Sequence, residues 1–354
     1  MEREEFEALL ERAEAGDAGA QAKIGFCYFT GDVVEQNDDK AFQWFEQAAS
    51  MGDLRGLFSL GAMYEDGRGV EQDDGKAFEC YIRAAGEGFV AAWEKLAYLY
   101  YIGKGTERNY AKSFEWYLKA AERENAQAQF NVGHCYRYGE GVPKDDKKAT
   151  EWELKAAESG YVPAMHNTGN NYFNGLGVET DFEEASKWYE RAAAKGEINA
   201  SYNAGICYYN KLERNQGNLA RAFRCFLQAA KGGHLHACFR VGNCYQNGVG
   251  TEQNYEEMIF WYQKGAEAGE KQCQLALGIA YNMGWGIEKN MEKAVEWTAK
   301  SAEQGLAEAM DNLGLYYYNG YGVKKDDETA IYWWKKAAEL GNQSALRHLQ
   351  KLGL

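Results

Sequence analysis

Between residues 306 and 320 the apolar side chains fall four apart, at Ala309, Leu313 and Tyr317, which is one face of a helix. Gly320 and Gly322 then interrupt the pattern, and a second one begins after Asp326 with Ala330, Trp333, Ala337 and Ala338, ending at Gly341. The spacing predicts two helices joined by a Gly-x-Gly loop. Glycine supplies the left-handed backbone that stops the first helix, and the Asp326 carboxylate caps the second by accepting from its first free N–H groups. Gly314, beside the apolar face, carries no side chain, so a neighbouring helix can approach closely, although glycine costs about 1 kcal/mol of helix propensity.

This pair recurs along the whole chain. The marker glycine returns as Gly25, Gly61, Gly133, Gly169, Gly205, Gly242, Gly278 and Gly314, with Ala97 in the third slot. The spacing is 36 throughout except for 37 between Gly205 and Gly242. A tyrosine follows three residues later in every copy, from Tyr28 to Tyr317. An Asx residue stands at the cap position each time: Asn37, Asp73, Asn109, Asp145, Asp181, Asn218, Asn254, Asn290 and Asp326. Trp44, Trp116, Trp152, Trp188, Trp261, Trp297 and Trp333 share another slot, which reads as core packing rather than a ligand-stacking ladder. Repeats of this length stack, because no unit buries its apolar face alone. The expectation is an all-α superhelical solenoid of nine helix-turn-helix repeats over residues 18–341. Residues 1–17 align with a second helix alone and 342–354 with a first helix alone, and both are expected to cap the array. Copy six lacks the loop glycines, reads 211–217 as Lys-Leu-Glu-Arg-Asn-Gln-Gly, and holds the extra residue, so a local change of curvature or an exposed loop is expected there.

A stacked array of this kind presents surface rather than a catalytic cleft, and composition agrees. An apolar content of 45% supplies a core for 354 residues, while the net charge of −14 argues against nucleic acid and anionic membrane, which need a basic face. No stretch of about 18 apolar residues is present to span a bilayer, and the start has no apolar segment of the signal-peptide kind. A cytoplasmic protein is expected, or a secreted or periplasmic one if a leader has been removed. Of eight cysteines, Cys27, Cys135, Cys207 and Cys244 share the slot two after the marker, and Cys80 and Cys225 take the tryptophan slot. Cysteines in core slots behave as small hydrophobes, so reduced thiols are expected.

The pattern A-x-x-x-L-G-x-x-Y-x-x-G-x-G-V, then D-x-x-x-A-x-x-W, then A-A-x-x-G resembles the SEL-1-like repeat, a relative of the tetratricopeptide repeat with a longer loop. Copy nine carries it from Ala309 to Val323, Asp326 to Trp333 and Ala337 to Gly341. The resemblance implies an α/α superhelix acting as an adaptor or scaffold for partner proteins. One cysteine-rich bacterial branch of that family is associated with weak binding of penicillin-like compounds and pairs cysteines where a second helix meets the next first helix. Here Ala230 stands ahead of Cys238 and Ala266 ahead of Cys273, which speaks against such bridges.

If the first helices line the inner wall, as in the related repeats, the ligand-facing positions are those turned away from the alanine–leucine–tyrosine face. Two before the marker stand Asn131, Asn167, Asn203 and Arg240 over copies four to seven, and three before it Phe130, His166, Tyr202 and Phe239. One after it adds His134, Asn170 and Asn243, and four after it Arg137. Asparagine carries both donors and an acceptor and can pair with N–H and C=O of an extended peptide, while aromatic neighbours add apolar area. The tetratricopeptide likeness implies a backbone clamp at Asn131, Asn167 and Asn203. Arg137 and Arg240 would attract an acidic or C-terminal carboxylate. The five histidines show no recurring ligand or triad spacing, and in His234-x-His236-x-Cys238 alternate residues diverge by about 200° on a helix. No metal, cofactor or catalytic group is expected. The Gly-x-Gly loops lack the lysine and strand of a phosphate cradle. The expected function is therefore a monomeric, non-enzymatic scaffold gripping a partner protein or peptide on its concave face. The alternative is a small-molecule or cell-wall-fragment binder with weak β-lactam-related activity.

Overall fold

The structure, a computed structural model, describes residues 2–354. Among the described residues there are twenty α-helices and no strand. After α1 (Arg3–Glu14) come nine pairs. They are α2 (Ala18–Thr30) with α3 (Asp38–Ser50), α4 (Leu54–Asp66) with α5 (Asp74–Gly86), and α6 (Val90–Ile102) with α7 (Tyr110–Ala121). Next are α8 (Ala126–Tyr138) with α9 (Asp146–Glu158), α10 (Val162–Asn174) with α11 (Phe182–Ala194), and α12 (Ile198–Ile206) with α13 (Gln216–Lys231). The last three are α14 (Leu235–Asn247) with α15 (Tyr255–Glu267), α16 (Lys271–Met283) with α17 (Met291–Glu303), and α18 (Ala307–Asn319) with α19 (Asp327–Glu339); α20 (Gln343–Lys351) ends the chain. The chain divides into two compact units, one up to Asn171 with Gly175–Glu179, the other Tyr172–Asn174 with Thr180–Leu354. In the first, α1 to α9 stack in sequence order and α2 also touches α4; in the second, α11 to α20 do so and α14 also touches α16.

Eight of the nine pairs are tied by the same two-way contact. The cap residues Asn37, Asp73, Asn109, Asp145, Asp181, Asn254, Asn290 and Asp326 accept from backbone N–H groups of the following helix at 2.9–3.1 Å. Their own N–H groups donate to the carbonyl of the repeat tyrosine, from Tyr28 to Tyr317, at 2.8–3.0 Å. One residue thus satisfies orphan groups at the end of one helix and the start of the next. The second loop glycine has a further role: at Gly322, with φ +68°, a side chain would strike the Met291 carbonyl at the start of the preceding second helix. That loop rests on the repeat before it.

Copy six breaks the rule, and Asn218 is not its cap. The extra residue is absorbed by a π-helical turn, Cys207–Lys211, in which the Leu212 N–H donates to the Cys207 carbonyl. α13 then starts at Gln216 and runs 16 residues, and Asn215 is the cap that accepts from the Asn218 N–H at 2.8 Å.

The marker glycines Gly25, Gly61, Gly133, Gly205, Gly242 and Gly314 face a large side chain from the second helix of the same repeat, and Gly278 faces Thr298. A methyl group at Gly25 would lie 2.7 Å from the Phe45 ring, and one at Gly205 2.5 Å from Phe226. The slot reads Phe45, Tyr81, Tyr117, Glu153, Tyr189, Phe226, Tyr262, Thr298 and Trp334, and all nine are buried. The tryptophan slot lies one residue earlier and is the flank of the core rather than its centre: of the seven, Trp188 and Trp261 are buried and the rest half-buried. A cation one turn on covers the ring, as Lys119 does over Trp116 at 3.9 Å and Lys155 over Trp152 at 4.0 Å. This is the packing expected of amphipathic stems laid along apolar surface. Cys27, Cys135, Cys207 and Cys244 are buried at 2% exposure or less, and all eight cysteines are free thiols.

Candidate functional site

The twelve residues singled out on the first helices of copies four to seven are all half-buried. Their carboxamides differ in what they already hold. Asn131 and Asn167 make no hydrogen bond within the described residues, whereas Asn170, Asn203 and His166 each have an interaction partner. In the first unit the Phe130 ring lies against Tyr161 at 5.4 Å. His134 approaches Glu140 at 3.2 Å and packs against Tyr138 at 4.5 Å.

Arg137 is not available to a ligand carboxylate. Its side chain is 12% exposed and its guanidinium is held by Glu153 at 2.8 Å, Asn171 at 2.9 Å, and Thr150 and Asp146 at 3.2 Å. Glu153 also accepts from the Asn171 amide at 2.5 Å. The cause is the exchange of an aromatic ring for a carboxylate at position 153: a buried charge needs an opposite charge and hydrogen bonds around it. Arg137 meets that need and pins α8, α9 and α10 together.

In the second unit the Tyr202 ring stacks on His234, with centroids 4.2 Å apart and planes at 17°. Burial first, and the neighbouring His236 second, hold His234 below the usual imidazole range. The Arg240 guanidinium lies 6.0 Å over the Tyr209 ring. Asn243 and Gln246 take the buried Tyr262 hydroxyl at 2.7 and 2.8 Å, beside Phe239. Among the described residues no three His, Cys, Asp or Glu side chains gather as a metal set, and no helix is long and apolar enough to cross a membrane.

Two grooves open between first helices. The larger, about 560 Å³, lies between α6 and α8 with Tyr117 of α7 at its floor, and it contains Asn131 and His134. The other, about 340 Å³, lies between α14 and α16 and contains Phe239 and Asn243 with the apolar side chains Leu275, Ile279 and Trp285. Sequence reasoning, confined to copies four to seven, missed Glu94, Tyr98, Tyr101 and Tyr117, and also missed α16. The signal was available, because Tyr98 and Tyr101 occupy the same slots, one and four after the marker, in copy three.

Stacked helix pairs that set side chains from successive first helices on one face define a helical-repeat protein of the tetratricopeptide-like kind. The Sel1 repeat model matches residues 18–53, 54–89, 94–125, 126–161, 162–197, 198–234, 235–270, 271–306 and 307–342, and the chain belongs to that family. Sel1-repeat proteins in general mediate protein–protein interactions, and the family is typically a non-enzymatic scaffold. The chain is similar to c5321, a protective antigen of uropathogenic Escherichia coli strains displaying an SLR fold, with 26% identity, TM-score 0.63 and coverage of 99% of this chain and 91% of that one. It is also similar to a Sel1 repeat protein from Oxalobacter formigenes, with 28% identity, TM-score 0.50 and coverage of 98% and 89%. No curated protein matches the chain.

Proposed function

We propose that this protein is a non-enzymatic scaffold, working as a cytoplasmic monomer, that holds an extended segment of a partner protein on its first helices, with the backbone clamp at Asn131 and Asn167 in the first unit. The observation that carries this reading is the pair Asn131 and Asn167, whose half-buried carboxamides have no hydrogen-bond partner among the described residues. Water meets these amides in the free protein, and their donors and acceptor suit the N–H and C=O of a peptide backbone. Phe130 would add apolar contact beside them, while Tyr202 and Phe239 would supply apolar contact, and Arg240 a cation for a partner carboxylate, on the first helices of the second unit. Buried, free thiols support a reducing compartment.

The test is a partner taken by pull-down and then titrated, as purified protein, against the Asn131→Ala and Asn167→Ala variants. Each should weaken binding by about 0.5–1.5 kcal/mol, several-fold in affinity, at an unchanged melting temperature. Unchanged affinity in both would remove the site from this face. Saturable binding of a wall fragment or β-lactam, with no protein bound directly, would favour the small-molecule reading.

A further inference from the structure

We propose that the groove between α6 and α8 is a pocket for a basic side chain, lysine or arginine, of the bound partner. It rests on the protein-binding reading above for what delivers the cation. The floor is Tyr117, 5% exposed, whose hydroxyl makes no hydrogen bond among the described residues. That is unusual for this slot. In copies two and seven the same hydroxyl is taken by the first helix, Tyr81 by Glu65 and Tyr262 by Asn243 and Gln246. In copy three the corresponding positions are Tyr98 and Tyr101, and the Tyr101 hydroxyl is turned to Glu140 at 3.3 Å. The Tyr117 oxygen is left for a donor that enters the groove.

The walls specify the donor's charge. Tyr98, 47% exposed and without a ring partner, joins Tyr101 in lining the groove with phenol rings, whose faces attract a cation. Glu94 accepts from Asn125 at 3.1 Å through one oxygen, and its other oxygen has no partner. Asn131 adds a carboxamide with no side-chain partner among the described residues, able to accept from a donor. The one lining lysine, Lys95, is held by Glu65 at 2.7 Å, which offsets its charge toward a second cation. Aromatic faces, an unpaired carboxylate and neutral acceptors around one opening match an ammonium or guanidinium group, on a chain whose net charge of −14 draws cations from a distance.

The experiment titrates N-acetyl-arginine methylamide and N-acetyl-lysine methylamide into the full chain at low salt, followed by backbone amide NMR shifts, with the neutral isostere N-acetyl-citrulline methylamide as control. Saturable shifts on α6 and α8 are expected, with the cations bound at least about fivefold more tightly than citrulline. Tyr98→Ala should weaken cation binding about fivefold, and Glu94→Gln should weaken it and reduce its salt dependence. Tyr117→Phe should weaken it about threefold without lowering the melting temperature, since the hydroxyl has no partner to lose. Equal binding of citrulline, shifts centred elsewhere, or no saturable binding by either cation would overturn the pocket. Loss of partner binding in the Asn167→Ala variant, whose residue does not line the groove, would stand regardless, so the two readings fail separately.

Discussion

Gly314 presents bare backbone to the indole of Trp334: a methyl group there would lie 2.5 Å from Nε1, whose N–H donates to the Asp311 carbonyl at 3.2 Å. Trp334 is 2% exposed and cannot swing away. Gly314→Ala should therefore destabilise the protein by about 1–3 kcal/mol through overpacking, in spite of alanine's better helix propensity. Urea unfolding measures the change, and a gain in stability would refute this account of the marker glycine.

The cap of copy six distinguishes two neighbouring asparagines. Asn215→Ala removes the acceptor for the Asn218 N–H and should cost about 0.5–2 kcal/mol. Asn218→Ala loses only an exposed bond to the Glu213 carbonyl and should cost less than half as much. Equal losses in denaturant midpoints would contradict the shifted helix start.

The buried pair Arg137–Glu153 should behave as a unit. Arg137→Met strands a buried carboxylate and should cost about 3–5 kcal/mol. Adding Glu153→Gln to it should recover a large part, because the neutral amide can still accept from Asn171. No recovery in the double variant would show that packing, rather than charge, fixes the site.

Glu65 supplies a pH-dependent contribution. Burial raises its carboxyl pKa, but Lys95 and Lys104 outweigh that and hold it below its ordinary value of 4.5. A depressed folded pKa gives stability that is complete above 4.5 and is lost as pH falls through the folded value. Glu65→Gln should thus be less stable than the parent near neutral pH, and the gap should narrow as pH falls below 4.5 through the depressed folded value. A gap that persists in acid would contradict the ion-pair account.

Burial pushes the Cys135, Cys207 and Cys225 thiols up to about 12, and Cys80 and Cys244 to about 11. Thiolate is the reactive form. Titration with a disulfide reagent near neutral pH should find these five slow in the folded protein and all eight thiols accessible on unfolding.

The repeat made most of the fold legible, because a marker glycine and a capping Asx at fixed spacing leave little freedom for helix ends. Phase was harder. The aromatic slot at Trp44 and the one after it at Phe45 both recur, and periodicity alone did not say which of two adjacent residues points inward. The π-turn at Cys207–Lys211 left one extra residue and the missing loop glycines as its traces, neither of which moves the cap, so Asn218 kept the cap position by counting while Asn215 took it in space. Arg137 looked free because its partner lies 16 residues away on another helix. The clue was Glu153 standing where other copies place a ring. The asparagine row was readable as a set of positions, but which amides are already spent depends on neighbours that no spacing reveals.

Side-chain oxidation footprinting with and without a purified partner tests the central claim most directly. Phe130, His166, Tyr202 and Phe239 stand on the first helices, while Phe260 and Tyr332, 55% and 50% exposed, stand on second helices. Binding on the proposed face predicts that the partner shields the first four from oxidation and leaves Phe260 and Tyr332 unchanged. Shielding of Phe260 and Tyr332, with the first four oxidised as before, would contradict it.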